Sequence, residues 1–387
     1  MESLYLDHCA TTPLHPEVLG VMMRYFANHF GNPGSVHGFG REAKRAVDGA
    51  REQVAGLLGA CPEEIVFTSG GTEADNLAIL GMAAAAPAGK RHLVVSAVEH
   101  PAVLNACRFL ETKGYRVTVL PVDAHGLVDP LQAAEAITGE TCLVSIIHGN
   151  NETGVLEPLA AICEVAHDRG VPVHTDAVQT VGKIPFDVQD VPVDCLSLGA
   201  HKLYGPKGVG ALYIRRGTTV QPLSHGGGQE RGIRSGTENV PGIVGLGQAC
   251  EVALREMAFQ MDFTRSLRDH LESALSERIP GVWIHAAAVH RLPHVTSMAF
   301  AGILAADLVE ALDREGVAVS PGAACHAGLQ QVSHVLAAMK IPEDMALGTV
   351  RFSLGRGNQP ADLERLIGIL PGLVAALREK KHRGGNE

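Results

Sequence analysis

None of the eight cysteines forms a C-x-x-C pair. A zinc knuckle and a thioredoxin-type redox site are therefore unsupported. The opening residues, MESLYLDHCATTP, contain no basic stretch leading into a short apolar one, so no secretory signal is read there. No uninterrupted apolar run reaches membrane-spanning length. There is no excess of positive charge. At a formal net charge of −10, global attraction to nucleic acid or to anionic lipid is excluded. Internal repeats and low-complexity tracts are missing, and His148, His174 and His225 do not make a metal-binding pattern. These absences point to a reducing, cytoplasmic compartment with free thiols, no stable nucleic-acid partner and no membrane.

What is present is a large, core-forming chain. It has 387 residues, 46% of them hydrophobic, a length that suggests about two or three domains. From EIVFTS onward, short apolar segments alternate with helical ones. HLVVSA, YRVTVLPV, TCLVSII, VPVHTDA, VDCLSL and VGALYI complete seven expected strands. The intervening stretches, among them PAVLNACRFLETKG and PLAAICEVAHDRG, have helical periodicity and end at glycine. This alternation predicts an α/β unit with a mainly parallel seven-stranded sheet covered on both faces. From about residue 241 a single long helical stretch begins. Beyond it VTSMAF, GVAVS and TVRFSL read as strands among helices, a smaller α+β unit. The expected division is 15–258 for the large domain, and 1–14 with 259–387 for the small one. The polar end, EKKHRGGNE, reads as a frayed tail.

Several loops carry chemistry. In FTSGGTEADN, Gly70, Gly71 and Thr72 stand at a strand-to-helix turn, where backbone N–H groups and the helix N-terminus suit a phosphate; the same residues also suit plain capping. Asp176 and Gln179 follow one strand, and Lys202 follows another, in SLGAHKLYGPKG. A lysine there can be a surface charge, a phosphate binder or an imine-forming amine. With His100, the set describes a cofactor held by phosphate, amine and carboxylate, the equipment of pyridoxal 5′-phosphate. His100, before Pro101, also reads as a helix start. Arg351 lies within an apolar strand and needs a partner there. Cys325 lies in SPGAACHAG among the smallest side chains, as a mobile nucleophile would; Cys107, Cys142, Cys163, Cys195 and Cys250 read as buried.

The order of YLDHCATTPLHP, FGNPGSVHGFG, IVFTSGGTEADNLAI, VEHPAVLN, NNETGVLEP, HTDAVQTVGKIPFDV, AHKLYGPKGVGALYI, GGGQERGIRSGTENV, SPGAACHAG, SHVL and VRFSLGRG resembles the cysteine desulfurases of the class V aminotransferases. The resemblance covers nearly the whole chain and implies the fold-type-I pyridoxal-phosphate scaffold. It implies that Lys202 links the cofactor as an imine and that Asp176 pairs with the ring nitrogen. Gln179 would bond the ring oxygen, and His100 would stack on the ring and shuttle protons. Gly71, Thr72 and His201 would hold the phosphate, Asn151 would lie near ring and substrate, and Arg351 would bind the substrate carboxylate. Thr237 would reach the cofactor of a neighbouring subunit in a homodimer with shared active sites. Cys325 would take sulfur from L-cysteine as a persulfide, with delivery to an acceptor protein, in scaffold assembly for iron–sulfur clusters or a related pathway.

Two departures stand out. His326 and Ala327 follow Cys325 where many desulfurases carry Thr-Ser, and GAACH, NETGV and GTEN resemble selenocysteine lyases. Gly199 stands where many relatives place a serine near the phosphate. The alternatives are therefore a selenocysteine lyase, a pyridoxal-phosphate aminotransferase or β-lyase, and a non-enzymatic regulator. A catalytic role for Cys9 or His326 stays open.

Overall fold

The computed structural model describes residues 3–321 and 332–384, with side chains as far as 380, and the backbone of 325–326 and 329–330. Its centre is a seven-stranded sheet. From one edge, the strands are Ile65–Thr68, Gly210–Ile214, Cys195–Gly199, Val173–Asp176, Thr141–Ser145, His92–Ser96 and Arg116–Leu120. Gly210–Ile214 runs antiparallel to both neighbours, and every other pairing is parallel. All seven expected strands form. Six of them are buried along their whole length and read as mostly apolar runs because both faces are covered, whereas the edge strand Arg116–Leu120 is largely open to solvent. One apolar cluster, including Val94, Val144 and Leu196, lies on one face, and another, including Leu93, Leu143 and Leu212, on the other.

The helix Val240–Arg278 is a single element of 39 residues. Its first half packs Ile243, Leu246 and Cys250 into the large core. Leu267, Leu271 and Leu275, further along, belong to a separate cluster with Phe300, Phe352 and Leu366. That cluster backs a four-stranded sheet of Ser320–Pro321, Thr349–Ser353, Val295–Phe300 and Val282–Ile284. The opening residues join this second core: Leu4–Tyr5 pairs in parallel with Val317–Ala318, and Leu6 is fully buried. The five cysteines expected to be buried are buried. The C-terminal helix runs from Pro360 to Gly384, so it includes the first part of the polar end, and the last three residues of the expected frayed tail lie outside the described residues.

Because Ile65–Thr68 and the four central parallel strands share one direction, the loops after them gather at one edge of the sheet. That edge is where open α/β sheets place ligands.

Candidate active site

At this edge lies a cavity of about 340 Å³. It is lined by Gly71, Thr72, His100, Asn151, Asp176, Gln179, His201, Lys202 and Arg351, and also by Cys9, Ala10, Asp75, Ile147 and Val178.

Each wall has a local cause. Gly70 has φ 153° and ψ −179°, a conformation open essentially to glycine alone. It starts the helix Gly71–Ala85 without a side-chain cap on the first-turn amides. Gly71 is pressed against Val178, where an added Cβ would come 2.6 Å from Cγ2. Bare N–H groups at the positive end of a 15-residue helix thus border the cavity. Gly199 backs onto this turn, with its Cβ position 3.4 Å from the Gly71 nitrogen.

His100 caps the helix Pro101–Glu111, its Nδ1 accepting the Ala102 N–H at 3.1 Å. The capping and cavity-lining readings of His100 are therefore compatible. Burial lowers its pKa, against an upward pull from Asp176, so the ring is neutral and its proton sits on Nε2. Asp176 ends its strand with Oδ1 accepting the Val178 N–H at 2.9 Å. Burial raises its pKa, and His100, that N–H and Lys202 pull it back. Asn150 pins the next loop, its Oδ1 taking the N–H groups of Glu152 and Thr153, both at 2.9 Å. Asn151 then borders the cavity, and its carbonyl accepts from Arg351 Nη1 at 2.9 Å.

Lys202 ends a tight turn, Ala200–Lys202. Its Nζ donates to the carbonyl of Ala10 at 2.8 Å and to that of Cys9. Burial lowers its pKa, which makes the neutral amine easier to reach. Gln179 donates to the same Cys9 carbonyl at 3.0 Å. His201 shares Nδ1 with the Thr11 hydroxyl at 3.1 Å. Arg351 is nearly buried in the strand Thr349–Ser353, with Nη2 on Asp7 Oδ1 at 2.6 Å and Nε unpartnered among the described residues.

One expected residue is not in this group. Thr237 is exposed and outside the cavity lining. The side chains of Cys325 and His326 lie outside the described residues, although their backbone pairs with Leu329–Gln330. Sequence reading did not single out Asp75, Asp7 or the carbonyls of Cys9 and Ala10. Main-chain oxygens leave no residue-type signal, and a lone acid within a helix reads as part of a solvated face. The Cys9 thiol itself turns toward His294 Nε2, 3.8 Å away, among Leu292 and Val295.

The donor set fits pyridoxal phosphate. Bare helix-start amides suit a phosphate, and a buried amine suits an aldehyde. Asp75, Asp176 and Glu99 are buried carboxyls, and Asp75 Oδ1 and Glu99 Oε2 have no hydrogen-bond partner among the described residues. Asp176, the one of these whose anion a backbone N–H and Lys202 favour, suits a protonated ring nitrogen.

Comparison with known proteins agrees with this geometry. Residues 4–366 match the family described as aminotransferase class V. The chain is 46% identical to the cysteine desulfurase IscS of Dictyoglomus turgidum, over 97% of this chain and 95% of that one. It is 47% identical to a cysteine desulfurase of Sinorhizobium fredii, over 98% and 99%. Among solved structures, a NifS-like protein superimposes with a TM-score of 0.91 at 38% identity, covering 97% of this chain and all of that one.

Proposed function

The chain belongs to the class V aminotransferase family, and we propose that it works as a pyridoxal-phosphate-dependent cysteine desulfurase, converting L-cysteine to L-alanine. The observation that carries this reading is the gathering of Lys202, Asp176, His100 and Arg351 on one cavity at the strand ends.

When bound, the cofactor supplies an electron sink conjugated to the substrate Cα. The chain supplies the rest. Arg351 offers its guanidinium to the substrate carboxylate, which fixes the Cα position. Lys202 Nζ takes the Cα proton, as a neutral amine in a desolvated site can. Asp176 would supply a carboxylate to the ring nitrogen, and the first-turn amides of Gly71 and Thr72, with His201, would hold the phosphate. Asn151 and Gln179 orient ring and substrate. The Cys325 thiolate attacks the substrate Sγ. An S–S bond forms, the Cβ–Sγ bond breaks, and its electron pair stays on Cβ. The Nε2–H of His100 gives the proton that completes the alanine methyl group and is replaced by the proton the substrate Sγ loses, Lys202 returns its proton to Cα, and Cys325 keeps the sulfur as a persulfide.

The reading extends to a homodimer in which Thr237 serves the neighbouring site, in keeping with its exposure. It extends to delivery of sulfur to an acceptor protein, and to a cytoplasmic setting. No helix among the described residues is long and apolar enough to cross a membrane. The two apolar cores support a division into 15–258 and the remainder. The test is alanine release from L-cysteine and from L-selenocysteine in parallel, by the wild type and by Cys325→Ala. Turnover of L-cysteine that depends on Cys325 is expected. Full turnover without Cys325 points to a β-lyase, and a strict preference for L-selenocysteine to a selenocysteine lyase.

A further inference from the structure

Behind Asp176 lies a second carboxyl that the chemistry above does not use. Asp75 is on the helix Gly71–Ala85, 1% exposed. Its oxygen, one from Asp176 and a ring nitrogen of His100 lie within 4.8 Å of one another. Two carboxylates this close in a buried site do not both ionise without a compensating cation.

The surroundings decide which one carries the charge. Asp176 accepts a backbone N–H, and Lys202 stabilises its anion. Asp75 Oδ1 has no donor among the described residues. Its nearest ring nitrogen, His174 Nε2, is 3.7 Å away, and burial pushes the His174 pKa down to about 3, so that ring is neutral. The two His174 nitrogens are already shared with the hydroxyls of Ser145 and Ser197, each at 2.9 Å. From the loop before His100, Glu99 adds another buried acid, which opposes further negative charge on Asp75. Burial and Asp176 act in the same direction, and only Ser197 opposes them.

We propose that Asp75 is a positioning residue: a neutral carboxylic acid behind Asp176 that leaves the pair one negative charge, placed on Asp176 where the ring nitrogen is held. This inference rests on the cofactor reading above. Asp75 acts through Asp176, and its neutrality keeps the ring nitrogen's counter-charge single and fixed.

The test compares the cofactor-loaded wild type with Asp75→Asn, by infrared spectroscopy at neutral pH and by pH titration of the cofactor's visible band. The acid carbonyl absorption of Asp75 is expected to vanish in the variant, with carboxylate absorption unchanged. Asparagine copies the neutral acid, so the titration midpoint is expected to move by less than about 0.5 pH unit. If Asp75 were ionised, removing its charge at this range would move the midpoint by roughly two pH units. Such a shift, or loss of carboxylate rather than acid absorption, overturns the proposal. If the variant does not fold, magnetic resonance of wild-type protein with isotope-labelled aspartate carboxyls reads the protonation state directly. One carboxyl that stays protonated from roughly pH 6 to 8 is expected, and none overturns the proposal. Failure of the cofactor reading is separate: no visible band forms, while the infrared and resonance signals of the cofactor-free protein still report the charge on Asp75.

Discussion

Replacing Arg351 by lysine separates substrate binding from folding. Arg351 is 7% exposed, and its guanidinium is already fixed on two sides: Nη2 holds Asp7 at 2.6 Å and Nη1 holds the Asn151 carbonyl at 2.9 Å. The Nε edge is unused among the described residues. A lysine ammonium can still neutralise Asp7, whose side chain is 21% exposed. The fold should therefore survive, with a stability loss of about 1–2 kcal/mol. The ammonium cannot present the planar pair of donors that a carboxylate takes from guanidinium. A hydrogen bond to a charged group contributes about 1.5–3 kcal/mol, so kcat/KM for L-cysteine should fall by roughly 10- to 150-fold. Most of the loss should appear in KM, because the contact exists in ground state and transition state alike. Initial rates of alanine formation over a range of L-cysteine concentrations measure it, with thermal melting as the folding control. A folded Arg351→Lys protein with wild-type KM refutes the assignment of the substrate carboxylate to this residue.

Three further outcomes are expected. Borohydride should fix the cofactor irreversibly to the peptide containing Lys202, and Lys202→Ala should neither fix it nor show the visible band; adduct elsewhere contradicts the site. Cys9→Ser should keep turnover within about twofold of wild type, because the main-chain carbonyl of Cys9, not its thiol, meets Lys202. Glu157 is buried, and its pKa is raised to about 8 from the ordinary 4.5. The folded protein therefore holds a proton there that the unfolded chain releases above about pH 4.5, and stability falls as pH rises from that value through about 8. The span corresponds to roughly 3–5 kcal/mol at most, so Glu157→Gln should flatten the decline in melting temperature between pH 5 and 9, and an unchanged slope refutes the assignment.

The large sheet was legible because buried strands announce themselves as short apolar runs between helices. All seven strands and the long helix from Val240 fall where that pattern puts them. The antiparallel course of Gly210–Ile214 was not legible, since apolar runs do not encode direction. The edge strand Val282–Ile284 was missed: it is three residues long and half-exposed, with Trp283 in solvent. The seven-residue helix Pro130–Ala136 was missed too, being too short for periodicity to register. At the site, polar side chains at strand ends could be read directly. What could not be read was pairing across the fold. Asp7 and Arg351 are 344 residues apart in sequence, and Asp75 meets Asp176 only because a helix crosses the sheet above it.

The most direct measurement is mass spectrometry of the cofactor-loaded protein after incubation with L-cysteine in the absence of reductant. One added sulfur atom on the peptide containing Cys325, formed together with alanine and absent from Lys202→Ala, is the expected result. Alanine released with no sulfur on that peptide contradicts the account.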